Sequence, residues 1–403
     1  MERRICVIGL GYVGLPLARL FSTKFKTIGF DLNQNRVDEL MSGVDSTKEV
    51  YNNILKEAID SGFICTTDID KIRDCNFYIV AVPTPVDEKY KPDLTPLIKA
   101  SQMIGGILKK GDIVVYESTT FPGCTEEVCV PELEKASGMK FNEDFFVGYS
   151  PERINPGDKE HTVEKIKKVT SGSNPLIANI VDEVYNTVLV NGTFKASSIK
   201  VAEASKIIEN TQRDCNIAFF NELSKIFEAL NIPTNDVIEA ASSKWNFNKL
   251  HPGLVGGHCI GVDPYYLIEK SKACGYNPEF ITKARDLNEG MGEYVANRLI
   301  KKMILDGKVV KDAKILILGF TFKENCPDVR NTKVISIYNT LKEYTNNITI
   351  FDPIANKDIV KKEYGVDIVN TLPNEQFDAT LLAVKHKEFD VLDIGITLSL
   401  KDL

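Results

Sequence analysis

The chain lacks several features that would narrow its function at once. It has no basic excess: 49 Lys and Arg against 56 Asp and Glu leave a net charge of −7. A surface of that sign disfavours nucleic acid and anionic membranes as partners, while leaving room for a locally positive pocket. No run approaches the roughly 18 uninterrupted apolar residues that a membrane span needs. The nine cysteines are too few for a disulfide scaffold. They contain no C-x-x-C pair or zinc-spaced Cys/His cluster, so no metal site is expected. Eight of them read as free, mostly buried thiols of a reducing compartment; Cys259 stands apart. No low-complexity tract or short tandem repeat occurs. After Arg3 and Arg4, the run from Ile5 to Ala18 imitates an export signal. However, Gly9, Gly11, Gly14 and Pro16 interrupt it, and no small-residue cleavage site follows. A strand, turn and helix explain the same residues better, and a cytoplasmic protein is expected.

What is present is ordinary globular composition, 43% hydrophobic and 26% charged, spread over 403 residues. That length asks for two or three domains. Up to about residue 190, apolar strands (Arg4–Ile8, Thr27–Asp31, Phe77–Val82, Ile113–Glu117, Phe145–Tyr149) alternate with amphipathic helices such as Pro16–Lys24 and Asn35–Ser42. This alternation predicts a doubly wound parallel sheet. From Ser197 to Leu230 apolar residues recur at helical spacing without Gly or Pro. A helix of about 34 residues would span roughly 50 Å, long enough to bridge domains or pack against a partner subunit. Strands return at Lys314–Gly319, Ile348–Phe351 and Ala379–Val384, with a helix near Lys333–Tyr344. They predict a second, smaller α/β domain, and no clear final strand precedes Leu403.

Gly9-Leu10-Gly11-Tyr12-Val13-Gly14 has the spacing G-x-G-x-x-G where a strand should become a helix. The first glycine permits a tight turn and the second lets the backbone approach a pyrophosphate. The third allows helix to pack on strand, with the helix N-terminus facing the negative charge. Asp31 follows about 22 residues later, where an acid can bind ribose hydroxyls and repel a 2′-phosphate. NAD is therefore favoured over NADP, although Arg36 nearby could accept that phosphate. The second α/β domain offers only Gly319 after its first strand, so it is not expected to bind a dinucleotide in the same way.

The segment Val255-Gly256-Gly257-His258-Cys259-Ile260-Gly261-Val262-Asp263-Pro264-Tyr265 is the most unusual in the chain. Glycines flank a thiol on both sides, which keeps the backbone compact and opens the sulfur to a substrate. Packing gives no evident reason for the Gly-Gly pair. Asp263 could orient a water or accept a proton. The alternatives are a metal ligand with His258, for which further ligands are lacking, or a buried thiol in a glycine turn. Beside NAD, a thiol can add to an aldehyde; oxidation of that adduct gives a thioester that water hydrolyses. Lys206 and Asn210, four apart, share one face of the long helix. Lys206 lies among Val201, Ala202, Ala204, Ile207 and Ile208, where a charge needs a reason, and it could offset an oxyanion.

At this point the chain resembles the nucleotide-sugar 6-dehydrogenases, a family that includes UDP-glucose, UDP-N-acetylhexosamine and GDP-mannose dehydrogenases. The resemblance rests on Gly9–Pro16, Val82-Pro83-Thr84-Pro85, Glu117-Ser118-Thr119, Ser150-Pro151-Glu152-Arg153 and Lys206-Ile207-Ile208-Glu209-Asn210. It continues through Gly256–Cys259 with Asp263, and Phe322-Lys323 followed by Asp328 and Arg330. Lys244-Trp245-Asn246-Phe247, Pro252-Gly253-Leu254-Val255 and Val262-Asp263-Pro264-Tyr265-Tyr266 resemble the branch acting on UDP-N-acetylglucosamine or UDP-N-acetylgalactosamine. That branch supplies uronic acids for bacterial surface polysaccharides.

The resemblance implies an α/β fold of two Rossmann-like doubly wound domains joined by a long central helix and a small helical domain. An NAD-binding domain would occupy 1–192, a dimerising helical domain with the cysteine loop 193–300, and a nucleotide-sugar-binding domain 301–403. It implies Cys259 as nucleophile, Lys206 stabilising the alkoxide and thiohemiacetal oxygens, and Asp263 with Thr119 holding a water. Glu152 would assist thioester hydrolysis. Asn210, Lys323, Gly257 and the stretch Arg153–Asn155 would contact substrate, together with Glu152 and Lys206. Gly9, Gly11, Val13, Gly14, Asp31, Arg36, Thr84, Thr119 and Arg330 would hold NAD. Partners implied are a UDP-sugar and a second copy of the chain through the central helix.

One position and one loop depart from the wider family. Val262 stands where a cofactor-contacting Lys is frequent. Lys244, Trp245 and Lys249 stand where an Arg often reaches a neighbouring subunit's substrate. Glucose, N-acetylglucosamine and N-acetylgalactosamine all stay open as the sugar, because loop shape around C2 and C4 tells them apart. Two rival readings are a two-electron β-hydroxyacid dehydrogenase, which needs Lys206 but no thiol, and a non-catalytic sensor of NAD and nucleotide sugars.

Overall fold

The computed structural model describes residues 2–87, 91–154, 162–257, 259–392 and 394–403. Its contacts divide the chain into two compact units. One comprises Met1–Glu209 with Tyr265–Lys270, the other Asn210–Pro264 with Ser271–Leu403.

In the first unit, strands β1 (Arg4–Ile8), β2 (Lys26–Phe30), β3 (Ile64–Thr66), β4 (Phe77–Val80), β5 (Ile113–Tyr116), β6 (Phe146–Tyr149), β7 (Lys168–Gly172) and β8 (Thr193–Lys195) make one sheet. Their order is β3-β2-β1-β4-β5-β6-β7-β8. Every neighbouring pair is parallel except β6 with β7. Strands β4 and β5 are buried at every position, as central parallel strands covered on both faces must be. Alternate side chains go to opposite faces: Tyr78, Val80, Val114 and Tyr116 to one apolar cluster, Phe77, Ile79, Ile113 and Val115 to the other. The covering helices are α1 (Gly14–Ser22), α2 (Gln34–Met41), α3 (Asn52–Asp60), α4 (Thr95–Gly105), α5 (Val130–Ser137) and α6 (Pro175–Asn186). Helices α4 and α5 close the first cluster; α1 and α6 close the second. Local chemistry sets their starts, as where the Asn174 side chain accepts the Ile177 N–H at 3.0 Å and Pro175 opens α6. The chain reverses between β1 and β4, so a crevice opens at their carboxyl ends. Strand β7 escapes a hydropathy reading because its sequence, KVTSG, has a single apolar side chain, Val169.

The long helix is α7 (Ile199–Leu230), 32 residues, two fewer than the periodicity suggests. The boundary between the units falls within it. Next come α8 (Thr234–Ser242), α9 (Asp263–Ala273), α10 (Glu279–Glu289) and α11 (Met291–Leu305). Strands β9 (Ile315–Leu318), β10 (Ile348–Phe351), β11 (Ala379–Leu382) and β12 (Leu398–Ser399) form a second, wholly parallel sheet in the order β10-β9-β11-β12. Helices α12 (Val334–Lys342) and α13 (Lys357–Tyr364) belong to it. The fold is thus α/β with two doubly wound sheets. Strand β12, absent from the sequence reading, is only two residues long and too short to carry a pattern.

No helix among the described residues is long and apolar enough to cross a membrane. The thiols differ from expectation at one position. Six are buried and Cys215 is half-buried, whereas Cys274 is exposed like Cys259. It follows the last residue of α9 and precedes Gly275, whose φ of +85° turns the chain outward.

Candidate active site

The crevice of the first sheet is built by glycines. Gly9 follows β1 with φ +90°, and its N–H donates to the Phe30 carbonyl at 2.8 Å. A Cβ there would lie 2.7 Å from the Ala81 carbonyl oxygen, and one on Gly14 would lie 1.8 Å from that of Gly9. Gly11 differs, with no heavy atom within 4 Å of where its Cβ would point. That open side lets a pyrophosphate approach the backbone, beside the start of α1, where Val13 is the N-cap. Asp31 directly follows β2, accepts the Leu10 N–H at 2.8 Å and the Asn33 N–H at 2.9 Å, and stays half-buried. Thr84 and Thr119, both half-buried, lie on the loops leaving β4 and β5. These residues fit a dinucleotide.

Arg36 has a different setting. Its Nε donates to the Leu10 carbonyl at 3.0 Å, while its other nitrogens pair with Asp45 at 2.8 Å and Glu39 at 3.2 Å. All three nitrogens are thereby engaged, bracing the glycine loop from behind. A guanidinium so committed is poorly placed to receive a 2′-phosphate.

A buried polar cluster lies where β5 ends. Glu152 is 8% exposed. Its Oε1 accepts the Arg153 and Ile154 N–H groups at 2.6 and 2.7 Å, and its Oε2 accepts from Lys168 Nζ at 3.1 Å. Lys168, at the start of β7, also donates to Glu117 Oε2 at 2.5 Å and to the Pro151 carbonyl at 3.1 Å. The Tyr185 hydroxyl on α6 donates to the other Glu117 oxygen. Arg153 turns its guanidinium to Glu209 at 2.8 Å and to the Lys167 carbonyl at 2.8 Å. Asn155 lies outside the described residues. Sequence reasoning missed Lys168 and Tyr185 altogether. An acid closing the apolar strand Ile113–Glu117 was the one available signal, since a carboxylate at the end of a buried strand needs a partner.

On α7, Lys206 is 7% exposed. Among its apolar neighbours Ala202 and Ile207 are buried, but Val201 and Ile208 are exposed, so the charge is less enclosed than the sequence suggests. In the second unit, Asn210 Nδ2 donates to Asp263 Oδ2 at 2.5 Å. The Asp263 N–H donates to the Cys259 carbonyl at 2.8 Å. Asn210, Asp263 and the cysteine turn therefore form one connected group, with Asp263 buried at the head of α9 and Cys259 exposed.

Packing does call for the two glycines before the thiol, contrary to the reading of the sequence. A Cβ on Gly256 would sit 2.7 Å from the Asn331 carbonyl oxygen, and one on Gly257, at φ +80°, 2.7 Å from the Phe322 ring. Asn331 completes the junction by donating from Nδ2 to the Gly257 carbonyl at 3.1 Å. Gly257 is thus held beside Phe322-Lys323. Arg330, next to Asn331, folds onto Asp328, with contacts from 2.6 to 3.0 Å.

A cleft of about 540 Å³ opens in this unit, lined by His251, Phe322, Lys323, Lys333, Lys385 and Lys401 among others. Glu239 and Glu324 also line it, and lysines outnumber acids there although the chain as a whole is acidic. Among the described residues no His, Cys, Asp and Glu side chains cluster to hold a metal ion.

Comparison with known proteins shows three matches to one family, UDP-glucose/GDP-mannose dehydrogenase. Its NAD binding domain matches residues 3–190, its central domain 200–290 and its UDP binding domain 316–400. The UDP-N-acetyl-D-glucosamine 6-dehydrogenase of Pseudomonas aeruginosa is 57% identical over 96% of this chain and 92% of its own length. That of Salmonella typhi is 56% identical over 96% and 91%. The structure of a UDP-D-ManNAc dehydrogenase from Pyrococcus horikoshii superposes with a TM-score of 0.87 at 28% identity, covering 97% of this chain and 91% of that one.

Proposed function

Since the chain belongs to the UDP-glucose/GDP-mannose dehydrogenase family and is an NAD-dependent nucleotide-sugar 6-dehydrogenase, we propose that its substrate is a UDP-N-acetylhexosamine. The C6 hydroxyl is oxidised twice, to the uronic acid, through a covalent adduct on Cys259. The observation that carries this reading is the chain of contacts from Asn210 through Asp263 to the cysteine turn, because it ties an exposed thiol to a buried acid and an amide.

In the first oxidation Asp263, with Thr119, holds the water that receives the hydroxyl proton, and Lys206 stabilises the alkoxide. Cys259 sulfur then adds to the aldehyde carbon, and Lys206 offsets the charge on the resulting oxygen. Covalent capture keeps the aldehyde from escaping. Oxidation of this adduct leaves a thioester, and water, assisted by Glu152, releases the carboxylate and the thiol. NAD, when bound, supplies the hydride acceptor. Gly9, Gly11, Val13, Gly14, Asp31, Thr84, Thr119 and Arg330 hold it, and Arg36 supports their loop. Asn210, Arg153, Asn155 and Gly257 position the sugar. Lys323 meets the diphosphate in the basic cleft, where its charge is worth most away from bulk water.

We assign the cofactor to 1–192, the cysteine loop and dimer contacts to 193–300, and the nucleotide to 301–403. The exposed apolar residues Val201, Ile208, Phe219, Ile226 and Leu230 fall on one stripe of α7 at helical spacing, which supports a homodimer through that helix. The enzyme is placed in the cytoplasm, supplying uronic acid for surface polysaccharide. The test is a panel of UDP-sugars in which NADH formed is counted per sugar consumed. Two NADH per N-acetylated sugar are expected, and Cys259→Ser should stop after the first. One NADH per sugar in the unaltered enzyme, or no turnover of N-acetylated sugars, would overturn the proposal.

A further inference from the structure

Lys168 and Tyr185 belong to no motif, and Glu117 enters only as the residue before Ser118-Thr119. Yet Glu117 and Lys168 are 1% exposed and Tyr185 is 0% exposed. With both carboxylates and the ammonium ionised, the Glu117–Lys168–Glu152 group carries a net charge of −1 in a dry site. An uncompensated charge there is costly, which raises the affinity of the group for one extra proton without filling it permanently. Burial pushes Glu117 up to about 7 against the pull of Lys168, and Glu152 adds to the rise while the Lys168 and Tyr185 hydrogen bonds oppose it. Burial alone would lower Lys168, but Glu117 and Glu152 outweigh it and keep the ammonium charged. Arg153, the remaining cation on this loop, is turned to Glu209.

Lys168 Nζ bridges Glu117 Oε2 at 2.5 Å and Glu152 Oε2 at 3.1 Å. We propose that Glu117 stores the proton Glu152 takes up during thioester hydrolysis, with Lys168 passing it between them and Tyr185 holding Glu117 in register. The inference rests on the assignment of Glu152 to hydrolysis. Water adds to the thioester carbon and gives a proton to the Glu152 carboxylate. The carbon–sulfur bond breaks, its electron pair leaves on the Cys259 sulfur, and the proton of the new carboxyl group passes to that sulfur, giving the carboxylate and the thiol. Lys168 gives one proton to Glu117 and takes the Glu152 proton in its place. Glu152 is then a carboxylate again, Lys168 is still an ammonium, and Glu117 is neutral. Reversal after product release returns the proton to solvent through Glu152. Glu117, Lys168 and Tyr185 are positioning residues, since they act through Glu152.

Glu117→Gln keeps the shape and removes the ionisation. In the proposed scheme kcat falls roughly tenfold or more, the ionisation near neutral pH disappears from its pH profile, and a burst of NADH precedes the slow steady state. KM for the sugar falls along with kcat, leaving kcat/KM nearly unchanged, because only the step after the covalent adduct is slowed. A second readout needs no turnover. A carboxyl with a raised pKa in the folded state contributes stability that is full below its ordinary value and lost as pH rises through about 7. The unaltered protein should therefore lose thermal stability relative to Glu117→Gln between about pH 5 and 8. Should Glu117→Gln fail to fold, Tyr185→Phe removes one hydrogen bond and shifts the ionisation up by about half a unit or more.

Unchanged pH profiles in whichever of these variants fold, with no burst, overturn the proton store. Failure of the underlying reading is distinct: Glu152→Gln itself would then hydrolyse the thioester at the unaltered rate.

Discussion

The two sheets carry the same loop twice and use it for opposite ends. In the first, Gly9 at φ +90° donates to the Phe30 carbonyl and Asp31 accepts the Leu10 and Asn33 N–H groups. In the second, Gly319 at φ +86° donates to the Phe351 carbonyl, and Asp352 accepts the Phe320 and Ile354 N–H groups. The backbone solution is the same, yet Asp31 is half-buried and Asp352 is 0% exposed. What closes the second acid is His386. Its Nδ1 accepts the Asn325 N–H at 3.0 Å, so its proton sits on Nε2, which lies 3.1 Å from Asp352 Oδ2. The chain after each glycine differs too. Helix α1 starts at Gly14 and leaves Gly11 open, whereas no helix follows Gly319 until α12, and the loop instead projects Phe322 and Lys323 into a cleft. One loop offers a ligand its backbone; the other is internally satisfied and offers side chains.

The sharpest way to break this comparison is to remove each acid in turn. Asp352→Asn places a donor against the Phe320 and Thr321 N–H groups and should cost about 3–5 kcal/mol in denaturant unfolding of the second unit. Gly319→Ala comes next, at about 2–3 kcal/mol, because its Cβ would lie 2.3 Å from the Val384 carbonyl oxygen in a left-handed conformation. Acid should act on the second acid. Burial raises Asp352, but His386 and the Phe320 and Ala355 N–H groups outweigh it and hold it at about 2 against an ordinary 3.8. A depressed carboxylate contributes stability above its unfolded value that is lost as pH falls through the folded one. About 2 kcal/mol should therefore disappear between about pH 4 and 2, and Asp352→Asn should abolish that slope. Asp31→Asn should cost less than about 1 kcal/mol of stability yet raise KM for NAD about tenfold, since its loss is felt at the ligand. Gly11→Ala should change stability by less than about 0.5 kcal/mol and weaken only NAD, measured by cofactor titration. Were Asp31→Asn as destabilising as Asp352→Asn, the distinction between an open and a closed loop would fail.

Much of the candidate site can be picked out from residue order. Gly9-x-Gly11-x-x-Gly14 with Asp31, and the glycine-flanked Cys259 with Asp263, stand out in residue order because tight turns restrict which residues serve. Arg36 was ambiguous, because nothing in a linear sequence shows that Asp45 and Glu39 occupy its fork. Lys168 was invisible for a related reason. A lysine opening a mostly polar strand reads as solvated until β6 and β7 pair antiparallel and bring it to Glu117 and Glu152.

The sequence by itself determined the local elements: parallel strands from apolar runs, the long helix from its uninterrupted period, and the dinucleotide turn from its glycines. These depend on neighbours a few residues apart. Only the tertiary structure decided that Gly256 and Gly257 are required by Asn331 and Phe322, that His386 seals Asp352, and that a buried lysine joins two carboxylates. Those outcomes pair residues tens of positions apart, and burial fixes the value of each contact. Removing water makes an ion pair or an unpaired donor matter, and chain order carries no record of where the water is gone.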